Sequence, residues 1–378
     1  MSRRSENFTV SPSLSVLITA RNEEWLSHTV ADVLAHSGDD TEVIVILDGY
    51  EASRLPTLDK HPRLSVLRHD AGLGQRGAIN EAARMSTAKY IMKLDAHCAM
   101  EQGFDVKIMA ALDGHRDWTL VPAQRNLHVF SWKCKTCGNR TYMGPTPDYC
   151  IPEDEKGHKL PNHNCTGKTF EKVLVWQPRS GSTTDFWRFD HELHFQYRGE
   201  YRGKWEKNAP AGDVADTMTC IGACWALDRG RYWEMGGLDE AHGSWGQMGT
   251  ELACKTWLSG GRMVVLKSTW YAHMFRTRKD FSFPYSMPHS AQEAARSYSK
   301  SMWLNDAWPG QVYPLAWLIN KFKPLPGWSD PEGAGRLAHI RASERNFYRT
   351  HPHRDRELRQ DHPIVAEQVA VADEPAVP

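Results

Sequence analysis

The sequence has no excess of charge of either sign. Its 46 lysines and arginines are matched by 46 aspartates and glutamates over 378 residues. Proteins that are held by nonspecific attraction to nucleic acid or to an anionic membrane usually carry a clear positive excess. We therefore expect any basic binding surface on this protein to be local.

Long apolar runs are missing as well. The first ten residues are polar and charged, and no window approaches the roughly 20 apolar residues that a membrane-spanning helix needs. We therefore expect a protein of the cytoplasm, without a membrane partner. In that compartment the eight cysteines favour reduced thiols and a metal site over disulfides.

Two common nucleotide-binding motifs are also absent. The glycines at 72–77 match neither a Walker loop nor a G-x-G-x-x-G fingerprint directly after the first strand, which disfavours kinase and dehydrogenase functions. Four short apolar runs alternate instead with helix-prone segments, at 14–19, 42–47, 64–68 and 90–94. This alternation predicts an α/β fold with a mostly parallel sheet flanked by helices.

Polar residues follow these runs at the predicted carboxyl edge of the sheet. Asp95 and His97 come directly after the fourth run, and alternation along a strand places both side chains on one side. A carboxylate oxygen and an imidazole nitrogen there suit a divalent cation such as Mn²⁺ or Mg²⁺. A nucleotide fits the same edge, with Asp48 accepting from the nucleoside and Arg76 contacting phosphate.

Residues 126–172 break the alternation and carry several potential metal ligands. Cys134 and Cys137 form a C-x-x-C pair, and Cys150 and Cys165 follow, with His163 as the substitute for one of them. Four thiolates suit a structural Zn²⁺ that would order a segment with little apolar content. We predict a zinc-ribbon-like insertion; free thiols in a surface loop are the alternative.

Taken together, several stretches resemble GT-A glycosyltransferases of family 2, most closely the catalytic domain of polypeptide N-acetylgalactosaminyltransferases. Residues 14–25 resemble the opening strand and H-N-E-x-W turn of that family, and residues 94–98 match its D-x-H-C metal motif. The order of Gly236-Gly237-Leu238-Asp239, Trp245-Gly246 and Glu251-Leu252 follows its acceptor-side block. Residues 272–276 resemble its G-H-V-F-R motif.

The resemblance implies roles for individual residues. It implies that His273 joins Asp95 and His97 as the third ligand of Mn²⁺, and that the donor is a UDP-linked sugar. Trp245, Gly246 and Glu251 would line the sugar and acceptor side. The residues that it places around the nucleotide and its diphosphate are Thr19, Arg21, Asn22, Glu23, Asp48, Arg76 and Arg276.

One departure from the family concerns the catalytic base. Inverting family 2 enzymes carry an acidic pair where this sequence has Met248 and Gly249. An inverting reaction would need another base, for which Asp239, Glu240 and Glu251 are candidates. The similarity to enzymes that retain the anomeric configuration favours retention.

The sequence divides into five expected parts. They are a nucleotide-sugar-binding half of the GT-A domain at 1–125, the zinc-binding insertion at 126–175, an acceptor and metal half at 176–284, a helical extension at 285–350 and a disordered tail at 351–378.

The expected function is therefore glycosyl transfer from a nucleoside diphosphate sugar to a hydroxyl. The acceptor is left open between Ser or Thr of a protein, a hydroxymethylated pyrimidine in viral DNA, and a small molecule or glycan. A bacterial cytoplasm or a phage-infected host is the expected setting, and the oligomeric state is undetermined. The alternative from another class is a non-catalytic, zinc-ribbon nucleic-acid-binding module on a degenerate transferase scaffold.

Overall fold

The structure is a computed structural model that describes residues 12–151, 158, 164–181, 183–199, 210–276, 283–328 and 331–353. The strands are β1 (Leu14–Ala20), β2 (Thr41–Asp48), β3 (Leu64–His69), β4 (Tyr90–Asp95), β5 (Cys98–Met100), β6 (Trp118–Cys134), β7 (Arg140–Tyr142), β8 (Phe170–Pro178), β9 (Trp187–Phe189), β10 (Phe195–Tyr197), β11 (Val214–Asp216), β12 (Cys224–Asp228) and β13 (Arg262–His273). The helices are α1 (Leu26–His36), α2 (Gln75–Met85), α3 (Phe104–Leu112), α4 (Arg229–Glu234), α5 (Met248–Leu258), α6 (His289–Trp303), α7 (Leu315–Lys321) and α8 (Pro331–Thr350).

A parallel block forms one half of the central sheet, in the order β3-β2-β1-β4. The residues of β1 and β2 are almost entirely buried, because helices cover both faces of a parallel sheet. In the register, Thr19 lies opposite Asp95 and Ala20 lies opposite Leu47. The carboxyl ends of these strands therefore meet at one edge, and the predicted mostly parallel α/β sheet is confirmed.

The other half of the sheet brings a distant segment to the same edge. β12 runs antiparallel between β4 and β6, and β13 runs parallel to β6. The short strand β5 then pairs antiparallel with the end of β13, with Cys98 opposite His273. This pairing places His273 beside the residue that precedes Cys98, which is His97.

A long three-stranded arm replaces much of the loop expected at 126–172. β6 continues past the sheet to Cys134 and pairs there with β7 and β8. The expectation that this segment has little to bury was wrong at its base, since Leu127, Phe130 and Met143 pack with Trp25 in a second apolar cluster. The arm is therefore anchored to the sheet by burial, and only its tip contains the cysteines.

The C-terminal helices close one side of the molecule. Trp303 of α6 and Trp328, which precedes α8, are almost completely buried in the main core. Within the described residues, no helix combines the length and apolar character needed to cross a membrane. Most of the tail expected to be disordered, from residue 354 on, lies outside the described residues.

Candidate functional site

A cleft of about 490 Å³ opens at the carboxyl edge of the sheet. It collects residues from segments that are far apart in the chain, as expected at this edge of an α/β sheet. The predicted site residues that line the cleft are Thr19, Arg21, Glu23, Asp48, Asp95, His97, Trp245, Gly246, His273 and Arg276. Four other predicted site residues do not line it, namely Asn22, Arg76, Asp239 and Glu251.

Three metal-ligating side chains converge inside the cleft. Nε2 of His273 lies 3.1 Å from Nε2 of His97 and 3.2 Å from Oδ2 of Asp95, and one ligand atom from each residue falls within 4.8 Å of the others. Neighbouring ligands of an octahedral cation with bonds of about 2.1 Å are roughly 3 Å apart. The separations therefore fit a single divalent cation.

The protonation states at this cluster also suit a cation. Burial lowers the pKa of His273 from 6.5 to about 4, so its imidazole is neutral at physiological pH and offers a lone pair. Burial alone would raise the pKa of Asp95, but Lys93 and the two imidazoles outweigh it and hold that pKa well below its usual range. The site therefore presents a carboxylate and a neutral imidazole.

Lys93 is a site residue that sequence reasoning missed. Its side chain is 1% exposed, and its ammonium donates to Oδ1 of Asp95 and, at 2.6 Å, to the carbonyl oxygen of Gly222. The signal was present in the sequence, because a lysine two residues before Asp95 on a buried strand projects to the same side. In the sequence this lysine stands within an otherwise apolar run.

Glu23 and Arg276 orient one of the imidazoles. Oε2 of Glu23 lies 3.1 Å from Nδ1 of His97, and Arg276 donates to both carboxylate oxygens at 2.7 and 3.0 Å. A carboxylate bound to the second ring nitrogen fixes which nitrogen faces the cation site. Glu23 thus positions His97, while Arg276, expected at the diphosphate, holds Glu23 at the wall of the cleft.

Asp48 and Asn22 hold the turns at the end of the cleft where the nucleoside is expected. Asp48 accepts hydrogen bonds from the backbone N–H groups of Leu73 and Gly74, at 2.6 and 3.0 Å. Asn22 has a φ of +54° and exchanges two hydrogen bonds with Glu51, at 2.9 and 3.0 Å. Asparagine tolerates this conformation better than most residues. Asn22 therefore forms the turn after β1 rather than the cleft surface.

Arg76 is not placed to contact phosphate. It is 1% exposed, its Nε donates to Oε2 of Glu251 at 2.7 Å, and its two terminal nitrogens donate to the carbonyl oxygens of Gly243 and Gly246. A buried guanidinium needs such a full set of acceptors. Its hydrogen bonds hold the segment that leads from Gly243 to Trp245, so its role in the structure is to position that segment.

The candidate bases Glu251 and Asp239 also lie away from the cleft surface. Glu251 is completely buried and accepts from Arg76, from Lys255 at 3.0 Å and from the backbone N–H of Asp239 at 2.6 Å. Asp239 accepts from the Tyr298 hydroxyl at 2.7 Å and lines a separate cavity, together with Glu240. The expectation that Glu251 lines the sugar and acceptor side is therefore wrong.

The Arg76–Glu251 pair predicts a large stability effect. Replacing Arg76 with methionine leaves a buried carboxylate without its guanidinium, so we expect the free energy of unfolding to fall by about 3–5 kcal/mol. Urea denaturation would measure this loss. Arg84→Met is the control on the same helix, because its pair with Glu81 is partly exposed at 3.6 Å and should contribute no more than about 1 kcal/mol. Equal, small losses in both variants would contradict a structural role for Arg76.

The cleft wall has no room for a side chain at Gly249, one of the two positions at which inverting family 2 enzymes carry an acidic pair. A Cβ added to Gly249 would lie 1.8 Å from the carbonyl oxygen of Cys220. Among the described lining residues, the carboxylates are Glu23, Asp48 and Asp95, and each already binds donors of the protein. The described part of the cleft thus offers no uncommitted carboxylate.

The four cysteines meet at the tip of the arm. Sγ of Cys134 lies 3.8 Å from Sγ of Cys165, and Sγ of Cys137 lies 3.6 Å from Sγ of Cys150. Disulfide sulfurs would be about 2.05 Å apart, whereas thiolates at the corners of a zinc tetrahedron with bonds of about 2.3 Å are roughly 3.8 Å apart. The predicted substitute, His163, lies outside the described residues.

The backbone favours a thiolate at Cys134, whereas burial is the main cause that raises the pKa of Cys150. The N–H of Cys137 donates to Sγ of Cys134 and is the main cause that lowers the pKa of that thiol from 9.0 to about 6. Gly138 follows with a φ of +76°. A Cβ on Gly167 would lie 2.7 Å from Sγ of Cys134, so only glycine allows the two turns to approach this closely. The cluster could hold one metal ion.

Comparisons with known proteins agree with this geometry. Residues 15–134 match the profile of Glycosyl transferase family 2. The chain is 24% identical to polypeptide N-acetylgalactosaminyltransferase 13 of Homo sapiens over 310 residues, 78% of this chain and 47% of that protein. It is 23% identical to polypeptide N-acetylgalactosaminyltransferase 3 of Drosophila melanogaster over 309 residues, 78% of this chain and 39% of that protein. The chain therefore spans less than half of these relatives.

A solved structure shares the fold. The crystal structure of GalNAc-T7 with UDP, GalNAc and Mn²⁺ superposes with a TM-score of 0.54 at 18% identity, covering 88% of this chain and 55% of that chain. The fold is thus GT-A, and the chain resembles the polypeptide N-acetylgalactosaminyltransferases, as the motifs predict.

Proposed function

We propose that this protein is a glycosyltransferase that moves a sugar from a UDP-linked donor to a hydroxyl acceptor with the help of a divalent cation. The observation that carries the proposal is the convergence of Asp95, His97 and His273 on one point of the cleft. The names of the relatives and the Mn²⁺ and UDP bound to GalNAc-T7 support it. A non-catalytic binding module would not need three aligned cation ligands beside a nucleotide-sized cleft.

The predicted site residues that line the cleft have distinct roles in this reaction. Asp95, His97 and His273 would hold Mn²⁺ or Mg²⁺, which when bound stabilises the negative charge that grows on the departing diphosphate. Glu23 keeps the His97 ring in place, and Asp48 anchors the loop that faces the nucleoside. Arg21 and Thr19 complete the nucleotide end.

The reaction most consistent with the cleft keeps the anomeric configuration. An inverting displacement needs a base opposite the leaving group. The sterically closed position at Gly249 and the committed carboxylates of Glu23, Asp48 and Asp95 argue against one. The acceptor proton would then be taken by the departing diphosphate.

The acceptor that we propose is a polymer with a free hydroxyl. The names of the relatives favour Ser or Thr of a protein, while the cysteine-bearing arm is compatible with hydroxymethylated DNA of a phage. A cytoplasmic setting and the division into the five expected parts are further elements of the proposal.

We also propose that the four cysteines bind a structural Zn²⁺. Two sulfur pairs at 3.6 and 3.8 Å and a Cys134 thiol with a lowered pKa support zinc over hard cations, which prefer oxygen ligands. The ion would order the tip of the arm and take no part in the transfer.

The proposal predicts Mn²⁺-dependent turnover of a UDP-sugar. The full chain is incubated with a panel of UDP-sugars, with Mn²⁺ or EDTA, and with protein, DNA and glycan acceptors, and products are read by mass spectrometry. We expect donor hydrolysis or transfer only with the cation, and proton NMR of the product should show the anomeric configuration of the donor. DNA binding without turnover of any donor would reject the proposal, whereas an inverted product would reject only retention.

A further inference from the structure

Lys93 provides a buried positive charge directly behind the candidate cation site. It lies on β4, two residues before Asp95, and its ammonium faces three oxygens, namely Oδ1 of Asp95 and the carbonyl oxygens of Gly222 at 2.6 Å and Ala223 at 3.4 Å. An ammonium has three donors, so this set satisfies it completely. The charge is therefore held in one place by the fold.

This charge changes the electrostatic balance of the cluster. The carboxylate of Asp95 is matched by Lys93, and that of Glu23 is matched by Arg276 at 2.7 Å. The two imidazole ligands bring no negative charge. A divalent cation at this point would thus keep both of its charges uncompensated by the protein, which is costly in a site of low exposure.

The two carboxylate oxygens of Asp95 have different partners. Oδ1 is occupied by Lys93, and Oδ2 faces Nε2 of His273 at 3.2 Å. Only one carboxylate oxygen therefore remains for a cation. The ammonium holds Asp95 in a single orientation and at the same time cancels its charge.

We propose that Lys93 is a positioning residue that makes cation binding depend on the nucleotide diphosphate. In the free protein the cation binds weakly, and the negative diphosphate supplies the missing charge. By linkage, the nucleotide strengthens cation binding by the same factor by which the cation strengthens nucleotide binding. The inference rests on the proposed function, because it takes Asp95, His97 and His273 as the cation ligands.

The test is a titration of the full chain with Mn²⁺, with and without saturating UDP. The EPR signal of free Mn²⁺ measures how much of the ion is bound. For the wild type we expect UDP to raise Mn²⁺ affinity by about tenfold to a hundredfold. Lys93→Met removes the charge, and Lys93→Gln removes it while keeping a hydrogen-bond donor. Both variants should bind Mn²⁺ about tenfold more tightly without UDP, with a correspondingly smaller effect of UDP.

Whether the Mn²⁺ affinity of the Lys93 variants rises or falls distinguishes this role from a merely structural one. A lysine that only supports the fold would, when replaced, loosen Asp95 and weaken Mn²⁺ binding. Unchanged or weaker binding by Lys93→Gln would therefore overturn the inference, as would a wild type that binds Mn²⁺ equally well with and without UDP. If Lys93→Met fails to fold by circular dichroism, Lys93→Gln and the wild-type linkage decide the question.

Two further comparisons complete the design. Lys321→Met is the matched control, since its ammonium pairs with Asp216 at a partly exposed site on β11, and it should leave both affinities unchanged. If neither the wild type nor any variant binds Mn²⁺ even with UDP, the cation site itself is absent. That result would reject the proposed function, whereas failure of the Lys93 inference alone leaves Mn²⁺ binding in the presence of UDP intact.

Discussion

Asp95→Asn is expected to lower Mn²⁺-dependent turnover of the UDP-sugar by about a hundredfold to a thousandfold. The substitution keeps the shape of the side chain but removes the only charged ligand of the cluster, so the stabilisation of the leaving diphosphate is lost. The rate at saturating donor and Mn²⁺ is the relevant measurement. Raising the Mn²⁺ concentration should restore only part of the activity.

In Asp95→Asn, a loss of folding stability has to be distinguished from a loss of catalytic turnover. Asp95→Asn leaves the ammonium of Lys93 buried without its carboxylate, which costs about 3–5 kcal/mol when a buried pair is broken. His273→Gln is therefore a second variant, because it replaces one neutral ligand by another neutral side chain. Asp216→Asn, at an exposed pair with Arg262, is the control for activity. Near-normal turnover in both folded cleft variants would contradict the cation site.

Removal of zinc is expected to disorder the tip of the arm. Structural zinc sites contribute about 10 kcal/mol to the free energy of folding of the segment that binds the ion. The tip has little apolar surface of its own that could replace this contribution. We expect one zinc per chain by elemental analysis of the purified protein. After chelation, or in Cys137→Ser, trypsin should cleave rapidly at Lys133, Lys135 and Lys168, and we expect these sites to resist cleavage when zinc is bound.

The core should survive this treatment. Leu127, Phe130 and Met143 pack at the base of the arm against Trp25, so the apolar cluster does not depend on the ion. Cys254→Ala, at a buried thiol of α5 outside the cluster, should keep a full equivalent of zinc. A protein that contains no zinc and resists trypsin at the tip equally with and without chelator would contradict the assignment.

Much of the fold was predictable because its cause is local. The apolar runs at 14–19, 42–47 and 90–94 correspond to β1, β2 and β4, which are almost entirely buried, since a strand buried on both faces needs continuous apolar residues. The run at 64–68 corresponds to β3, a partly exposed strand at the edge of the sheet. The same alternation put Asp95 and His97 near one edge. The C-x-x-C pair followed by glycine likewise indicates, within five residues of sequence, a turn that could bind a metal.

The roles of charged residues were less predictable. Arg76 and Glu251 are 175 positions apart, and nothing near either one in the sequence indicates that they form a buried pair. Arg76 is expected at phosphate because it follows a strand at the carboxyl edge of the sheet, and Glu251 is expected on the acceptor side because of the family resemblance. Whether a charged side chain is buried or faces the cleft depends on the partner that it meets across the fold. Local sequence patterns do not specify that partner.

The sequence by itself determined the alternating strands and helices, the edge of the sheet at which the cleft opens, and most of the predicted side chains that line it. Only the tertiary structure decided which of them meet. The pairing of β5 with the end of β13 brings His273 to His97, and the pairing of β12 with β4 brings the carbonyl of Gly222 to Lys93. Periodicity along a strand arises from neighbouring residues, whereas these meetings depend on long-range strand pairing that no short stretch of sequence specifies.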